Sequence, residues 1–143
     1  MDAIDKKLVT RLADNSRISL KQLAAETGLA PPSVAERLKR LEERGELTGF
    51  TILVSPSALG YALQAIVRLN PLPGALRVVE RMIIETPQFV ECDRVTGEDC
   101  FVARLYLRSI DDLDKILERF HDHAQTVTAI VKSQPVTRRL PPL

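Results

Sequence analysis

Several residue types that mark special classes of protein are scarce in this sequence. It has no tryptophan, only 4% aromatic residues and only two cysteines. Two cysteines cannot build a disulfide framework, so the composition predicts a cytoplasmic protein in a reducing environment. No apolar run approaches the roughly 20 residues that span a bilayer, and residues 1–3 (MDA) do not open a secretory signal. The sequence therefore predicts neither a membrane protein nor an exported one.

A strong excess of charge is also absent. The 143 residues include 20 Lys and Arg against 19 Asp and Glu, which gives a formal net charge of +1. This balance disfavours a nonspecific coat on a polyanion, but a local basic stripe suffices for binding to a specific DNA site. Hydrophobic residues make up 45% of the chain and charged residues 27%, which is typical of one ordinary domain or two small ones.

Three short helices are predicted before residue 50, because apolar residues recur there at helical spacing. Asp2 and Ser19 are placed as N-caps of the first two helices, and Gly28 turns the chain after the second. Pro31 suits the first turn of the third helix, where a missing N–H costs little, and Gly45 is placed to end it. The apolar stripes consist of Ile4, Leu8, Leu12, Leu20, Leu23, Ala24, Val34, Leu38 and Leu41.

The pattern changes after an extended segment at 48–54 and a turn at 55–60. Alternating residues predict strands, and residues at helical spacing predict two amphipathic helices. The strands are placed at 61–69, 89–95, 101–108 and 126–133, and the helices at 75–86 and around 111–120. The order β-α-β-β-α-β is that of the ferredoxin-like sandwich, so the predicted fold class is α+β.

Two short helices joined by a glycine turn, the second of them basic, are typical of a helix-turn-helix. The major groove of DNA is about 12 Å wide and admits one helix, whose N-terminal residues reach the base edges. Five residues are expected on the exposed side of the third helix, away from its apolar stripe: Pro32, Ser33, Glu36, Arg37 and Arg40. Arg37 or Arg40 is suited to guanine, and Glu36 to a cytosine amino group.

Other basic residues of this region are placed for the phosphate backbone. They are Arg17, Lys21 and Lys39, while Arg44 continues the line of Ser33, Arg37 and Arg40. The alternative is a solvated helix face in which Glu36 pairs with Arg40 four residues later. Spacing alone leaves both interpretations open.

Two sets of motifs resemble the Lrp/AsnC family of transcription regulators, also called feast/famine regulators. The first set is 8–12 (LVTRL), 17–19 (RIS), 23–24 (LA), 28–29 (GL) and 34–42 (VAERLKRLE), followed by Gly45. The second set is 49–52 (GFTI), 55–60 (SPSALG) and 90–97 (VECDRVTG). The resemblance covers essentially the whole chain, with both sets in the family's order.

The resemblance implies a winged helix-turn-helix DNA-binding domain at 1–49, a linker strand and hinge at 50–60, and a ferredoxin-like effector-binding and oligomerisation domain at 61–143. It implies a sequence-specific transcription regulator rather than an enzyme, with no cofactor and with double-stranded DNA as its partner. Family members form homodimers through their sheets, and these often assemble into tetramers or octamers.

Many members also bind an amino acid between dimers, near a turn that corresponds here to Thr96, Gly97, Glu98, Asp99 and Cys100. Two positions depart from the family pattern. Ala30 stands where a helix-capping Ser is frequent, and Cys100 aligns with a usual Asp. The residue chemistry of the turn is consistent with an effector, since amides near Gly97 suit a carboxylate and Glu98 or Asp99 an ammonium. Taken without the family resemblance, the same residues fit a plain type I′-like hairpin turn better.

Other interpretations stay open at this point. One is a constitutive architectural DNA-binding protein without an effector, and another is an enzyme resembling the haem-biosynthesis decarboxylases that share this two-domain fold. Cys92 and Cys100 are expected as packed thiols, because a hairpin centred near Glu98 leaves them roughly 13 Å out of register. His121 and His123 point about 200° apart on a helix, which favours a solvated helix end over a metal site.

Overall fold

The computed structural model describes all 143 residues and divides them into two compact units. The first unit contains Met1–Leu53 together with Pro135–Leu143, and the second contains Val54–Gln134. The division falls inside the segment predicted as a hinge, at 50–60. The C-terminal residues differ from the expectation, because 135–143 group with the first unit rather than with the ferredoxin-like domain. No helix in the structure has the length and apolar character needed to cross a membrane.

Three helices form the first unit: α1 (Ala3–Asp14), α2 (Leu20–Thr27) and α3 (Pro31–Glu43). Asp2 and Ser19 cap α1 and α2 as predicted, and each forms a reciprocal capping box with the residue three positions later. The core between the helices is built from the predicted apolar stripes, with Leu8, Leu23 and Val34 fully buried. Leu20 is the exception, since its side chain at the start of α2 is 43% exposed. Local sequence signals therefore determine both the helix bounds and their packed faces.

The two glycines placed at helix ends act there because both adopt the left-handed conformation. Gly28 ends α2 with φ 72°, and Gly45 follows α3 with φ 69°. After α3 the Gly45 N–H donates to the Glu42 carbonyl and the Glu46 N–H donates to the Leu41 carbonyl, at 2.9 Å each. This is the Schellman arrangement, which satisfies carbonyl groups that a helix end otherwise leaves unpaired.

The predicted wing and linker strand are not formed. Residues 48–55 have no regular secondary structure, and a single 3₁₀ turn at Ser57–Leu59 follows them. Apolar side chains of this segment are exposed, among them Ile52 at 80% and Leu53 at 92%. A strand needs a hydrogen-bonding neighbour, and every strand of the chain pairs within the sheet of the second unit.

The second unit has the predicted β-α-β-β-α-β order. Its elements are β1 (Leu63–Pro71), α4 (Leu76–Ile84), β2 (Phe89–Arg94), β3 (Phe101–Leu107), α5 (Ile110–Glu118) and β4 (Ala124–Ile130). The four strands form an antiparallel sheet in the order β2-β3-β1-β4. Several boundaries differ from the predictions. Asn70 and Pro71 belong to β1 rather than to a loop, and β4 begins two residues early, because these residues pair with Gln125 and Ala124. In addition, β1 begins at Leu63 rather than at 61, and β4 ends at Ile130 rather than at 133.

The two helices of this unit cover one face of the sheet. Val79 and Ile83 of α4 and Leu113 and Ile116 of α5 pack with the inward residues of the strands, and Phe120 closes the core against Phe89. The other face carries Gln64, Ile66, Arg68, Val102, Arg104, Tyr106, Val127 and Ala129, none of which is fully buried. The sheet is thus a two-layer sandwich with one uncovered face.

Candidate nucleic-acid interface and effector loop

Helix α3 presents a polar face to solvent from its first turn to its last. Ser33, Glu36 and Arg40 are exposed, as is Pro32, while Val34 and Leu41 are buried against the other helices. Ala30 is the N-cap residue of α3, and its methyl side chain cannot accept a hydrogen bond from the backbone. This face has the shape and the polar groups that can enter a major groove: a hydroxyl and a carboxylate in the first two turns of the helix and a guanidinium about one turn further on.

Arg37 differs from the expectation, which placed it on that exposed side. Its Nη1 donates to Asp2 Oδ2 at 2.6 Å and to Asp5 Oδ1 at 2.8 Å, and its side chain is only 23% exposed. The reason is helical geometry: Arg37 lies three residues after Val34 and four before Leu41, so it shares the side of α3 that faces α1. The sequence signal for this role was this spacing together with two carboxylates at the start of α1.

The residues predicted for the phosphate backbone are all exposed. Arg17 and Lys21 flank the start of α2, and Arg44 lies at the end of α3. Lys39 is also exposed and its ammonium lies 3.6 Å from the Glu43 carboxylate. The pair that the alternative interpretation required, Glu36 with Arg40, is not among the ion pairs of the chain, so both side chains of α3 remain available.

A second set of charged contacts joins α1 to the end of α2 and was not predicted. Arg11 Nε donates to Glu26 Oε2 at 2.6 Å and Arg11 Nη2 donates to Glu26 Oε1 at 3.1 Å. The Lys7 ammonium donates to the Glu26 backbone carbonyl. The hydrogen bond from Arg11 holds the pKa of the Glu26 carboxyl below its usual value. These contacts hold α1 against the end of α2, just before the turn that leads into α3.

The predicted effector residues form a loop between β2 and β3. The loop spans 95–100 and closes with the Val95 N–H donating to the Cys100 carbonyl at 2.9 Å, so it is longer than a two-residue hairpin turn. Gly97 has φ 116°, as its expected role requires, and open space lies beyond its Cα. Thr96 and Glu98 are exposed, and Asp99 and Cys100 are half-buried.

The Asp99 carboxylate is not free in this chain. Arg68 Nη1 lies 3.3 Å from Asp99 Oδ2, so an arginine of β1 joins the loop, a residue that the sequence analysis missed. The arginine side chain is 52% exposed and the aspartate side chain 32%. The loop therefore offers a cation and an anion side by side, both reachable from solvent.

The cysteines and histidines stay apart. Cys92 and Cys100 are free, and Cys92 lies opposite Ala103, one position from the predicted Arg104 region. Cys92 is exposed rather than packed, since β2 is the edge strand of the sheet. His121 is exposed and His123 half-buried beyond the end of α5. No three of the His, Cys, Asp and Glu side chains gather in a way that could hold a metal ion.

Comparison with known proteins places both units in one family. The AsnC-type helix-turn-helix domain matches residues 1–42, and the Lrp/AsnC ligand binding domain matches residues 64–141. The chain belongs to the Lrp/AsnC family. Its Lrp/AsnC relatives include the HTH-type transcriptional regulator LrpA of Mycobacterium tuberculosis, 33% identical over 129 residues that cover 90% of this chain and 86% of that protein. LrpC of Bacillus subtilis is 28% identical over 138 residues, 96% of each chain.

Solved Lrp/AsnC structures share the fold over nearly the whole chain. B. subtilis LrpC matches with a TM-score of 0.90 at 28% identity, covering 96% of this chain and 99% of that one. The feast or famine regulatory protein of M. tuberculosis complexed with L-methionine matches with a TM-score of 0.85 at 31% identity, covering 98% and 97%. The resemblance and the α+β fold class are confirmed, and the wing and the linker strand are missing from the expected architecture.

The family membership also decides between the classes of function. The Lrp/AsnC relatives are HTH-type transcriptional regulators, so this chain is a DNA-binding regulator of that type and not an enzyme. The decarboxylase-like interpretation is therefore abandoned.

Proposed function

We propose that this protein binds a specific DNA sequence as a homo-oligomer and that an amino acid modulates its assembly or its DNA binding. The observation that carries the proposal is the exposed polar face of α3 in a chain of the Lrp/AsnC family. Dimerisation would place two such helices about one DNA turn, or a multiple of it, apart on a roughly palindromic site.

The DNA contacts divide by chemistry. Arg40 suits guanine, Glu36 suits a cytosine amino group, and Ser33 suits either kind of base edge. Pro32 packs beside them at the first turn of α3, while Arg17, Lys21, Lys39 and Arg44 are assigned to phosphates. In this proposal Arg37 has no contact with a base, because its guanidinium forms ion pairs with Asp2 and Asp5.

The uncovered face of the sheet is assigned to the homodimer. It presents half-buried Ile66, Val102 and Tyr106 beside Val127, which is 51% exposed. The Gln64 side-chain nitrogen is buried on this side of β1 without a hydrogen-bond partner. A second copy would bury this apolar surface, and larger assemblies of dimers are expected from the family.

The loop at 95–100 is assigned to the effector. An amino acid carries one positive and one negative charge, and the Asp99–Arg68 pair offers the complementary two at 3.3 Å. We expect the carboxylate to bind Arg68 and the ammonium to bind Asp99, with exposed Glu98 adding negative charge and Thr96, Gly97 and Cys100 shaping the loop. The family relative complexed with L-methionine supports this class of ligand.

DNA binding is tested with the full chain and an operator selected from random duplexes. Arg40→Ala should weaken binding to that operator and relax base preference at one position, by about 1–3 kcal/mol of discrimination. Arg77→Ala, an exposed arginine of α4, is the matched control and should leave binding unchanged at the same salt concentration. Equal affinity of wild type and Arg40→Ala would contradict the assignment of α3.

The effector is tested by a thermal-shift screen of the twenty amino acids. A ligand at 100 times its Kd should add about 2.7 kcal/mol to the stability of the folded state. Calorimetric titration of the best ligand should then fail with Asp99→Asn, which keeps the shape of the side chain and removes its charge, and persist with Glu91→Gln on neighbouring β2. If no amino acid binds, the protein is a constitutive architectural DNA-binding protein instead.

A further inference from the structure

Arg37 occupies an unusual place for an arginine of the helix that is assigned to DNA. One nitrogen of its guanidinium bridges two carboxylates, Asp2 Oδ2 at 2.6 Å and Asp5 Oδ1 at 2.8 Å. Asp5 is one of two polar residues in the chain that are buried, with 7% of its surface exposed. Its charge therefore needs a partner from another element, since an unpaired buried carboxylate is strongly disfavoured.

The two carboxylates belong to the capping box of α1. Asp2 accepts the Asp5 N–H at 2.8 Å, and Asp5 accepts the Asp2 N–H at 3.2 Å. A side chain that binds both carboxylates thus joins the first turn of α1 to the middle of α3. The contact spans 32 and 35 residues of sequence, so it constrains the packing of the two helices rather than the shape of either one.

The same contact affects two neighbouring arginines. Arg40 and Arg44 border the hollow that contains Asp2, Asp5 and Arg37, and both are exposed with no carboxylate within ion-pair distance. If Arg37 were absent, the two aspartates would lie beside Arg40 without a cation of their own. They would then compete with DNA for Arg40, because an uncompensated carboxylate attracts the nearest guanidinium.

We propose that Arg37 is a positioning residue, which fastens α3 to the first turn of α1 and neutralises Asp2 and Asp5 so that Arg40 and Arg44 remain available to DNA. The part of this inference that concerns DNA binding rests on the proposed function. The alternative is that Arg37 contacts a base directly. The two assignments predict different operator affinities when Asp2 and Asp5 are replaced.

The first test needs no DNA. The free energy of unfolding of the full chain is measured for Arg37→Gln, Asp5→Asn and the variant with both changes. Fastening predicts that the effects are not additive, with the double variant about as stable as the worse single variant. Additive effects would overturn the inference whether or not the chain binds DNA.

The second test measures affinity for the selected operator and for a nonspecific duplex at fixed salt. Arg37→Gln should weaken operator binding by about tenfold while changing nonspecific binding much less, since a misplaced helix loses base contacts first. Adding Asp2→Asn and Asp5→Asn should recover the part of this loss that comes from competition for Arg40, because the competing charges are then gone, whereas the part that comes from the misplaced helix should remain. Asn at both positions retains the oxygen that accepts the capping N–H.

Two outcomes oppose the inference. If the triple variant binds as weakly as Arg37→Gln and accepts a changed base at one position, Arg37 contacts that base directly. If Arg37→Gln binds the operator with the affinity of the wild type, Arg37 does not position α3 for DNA binding. Arg40→Gln separates these failures from failure of the proposed function: when Arg40→Gln also leaves operator binding unchanged, α3 is not the DNA-reading element at all.

Discussion

Charged side chains in the first unit act mainly on one another across helices. The Glu26 carboxyl accepts two hydrogen bonds from Arg11, and this contact lowers its pKa. The Asp2 carboxyl has a lowered pKa as well, first because it accepts the Asp5 N–H and then because it accepts from Arg37. The folded state therefore favours the ionised forms of the Glu26 and Asp2 carboxyl groups.

Acidification should therefore destabilise the first unit. Carboxyl groups with lowered pKa values in the folded state bind protons less tightly than in the unfolded state, so their stabilisation is complete above about pH 5. It is lost as the pH falls through the lowered pKa values. Melting temperatures at pH 7, 5 and 3 should drop less steeply for Glu26→Gln than for the wild type.

Glu42→Gln is the control for this series, because Glu42 is an exposed glutamate of α3 outside the ion pairs. Its melting temperature should follow that of the wild type at each pH. A Glu26→Gln variant with the same pH dependence as the wild type would contradict the assigned role of the Arg11–Glu26 pair.

The starts of α2 and α3 are built differently, although the two helices are consecutive. Ser19 accepts the Gln22 N–H at 3.2 Å, and Gln22 accepts the Ser19 N–H at 3.3 Å. Ala30 accepts nothing through its side chain, and the first two residues of α3 are prolines. Prolines have no N–H, so α3 begins with fewer unsatisfied donors and depends less on a cap.

Substitutions at the two caps should consequently have unequal effects. Ser19→Ala should reduce the free energy of unfolding by about 1 kcal/mol, the usual loss for an N-cap. Ala30→Ser should add less than about 0.5 kcal/mol, because the Ser33 N–H already donates to the Ala30 carbonyl at 3.0 Å. Urea unfolding followed by circular dichroism measures both, with Ser16→Ala as an exposed loop control. A full 1 kcal/mol gain from Ala30→Ser would refute this account of the prolines.

Two separate cores make the three helices of the first unit a candidate for independent folding, because their core contains no residue of 135–143. The Leu8, Leu23 and Val34 cluster contains no residue of the sheet unit. A fragment that ends at Val54 should fold, remain monomeric and bind the selected operator much more weakly than the full chain, since one helix-turn-helix makes few phosphate contacts. Light scattering and operator titration test this expectation, and full-chain affinity in the fragment would contradict oligomer-coupled binding.

The oligomer itself is tested on the uncovered face of the sheet. Val127→Lys should convert the proposed homodimer to a monomer, because the new ammonium lies directly opposite Arg68 on the same face and a second like charge is buried without a partner. Val78→Lys, on α4 and 45% exposed, changes a comparable side chain on the other side of the sheet and should leave the dimer intact. Sedimentation measures the mass of each variant, and a dimeric Val127→Lys would place the interface elsewhere.

Features whose causes lie within a few residues could be predicted from the amino-acid sequence. The N-caps at Asp2 and Ser19, the left-handed glycines at 28 and 45, and the periodic apolar faces of helices and strands are of this kind. Together they predicted the helix-turn-helix and the ferredoxin-like order. The function was then predicted from the motifs that resemble the Lrp/AsnC family.

The pairing of charged groups could not be predicted, because it depends on how distant elements pack together. Arg37 is paired with carboxylates more than 30 residues away, and Arg68 of β1 lies beside Asp99 of the loop between β2 and β3. The extended segment at 48–55 lacks a strand because no neighbour is placed beside it, whatever its own β-propensity. Helix and strand signals are local, whereas an ion pair or a strand pairing depends on the packing of distant elements, so periodicity alone cannot specify it.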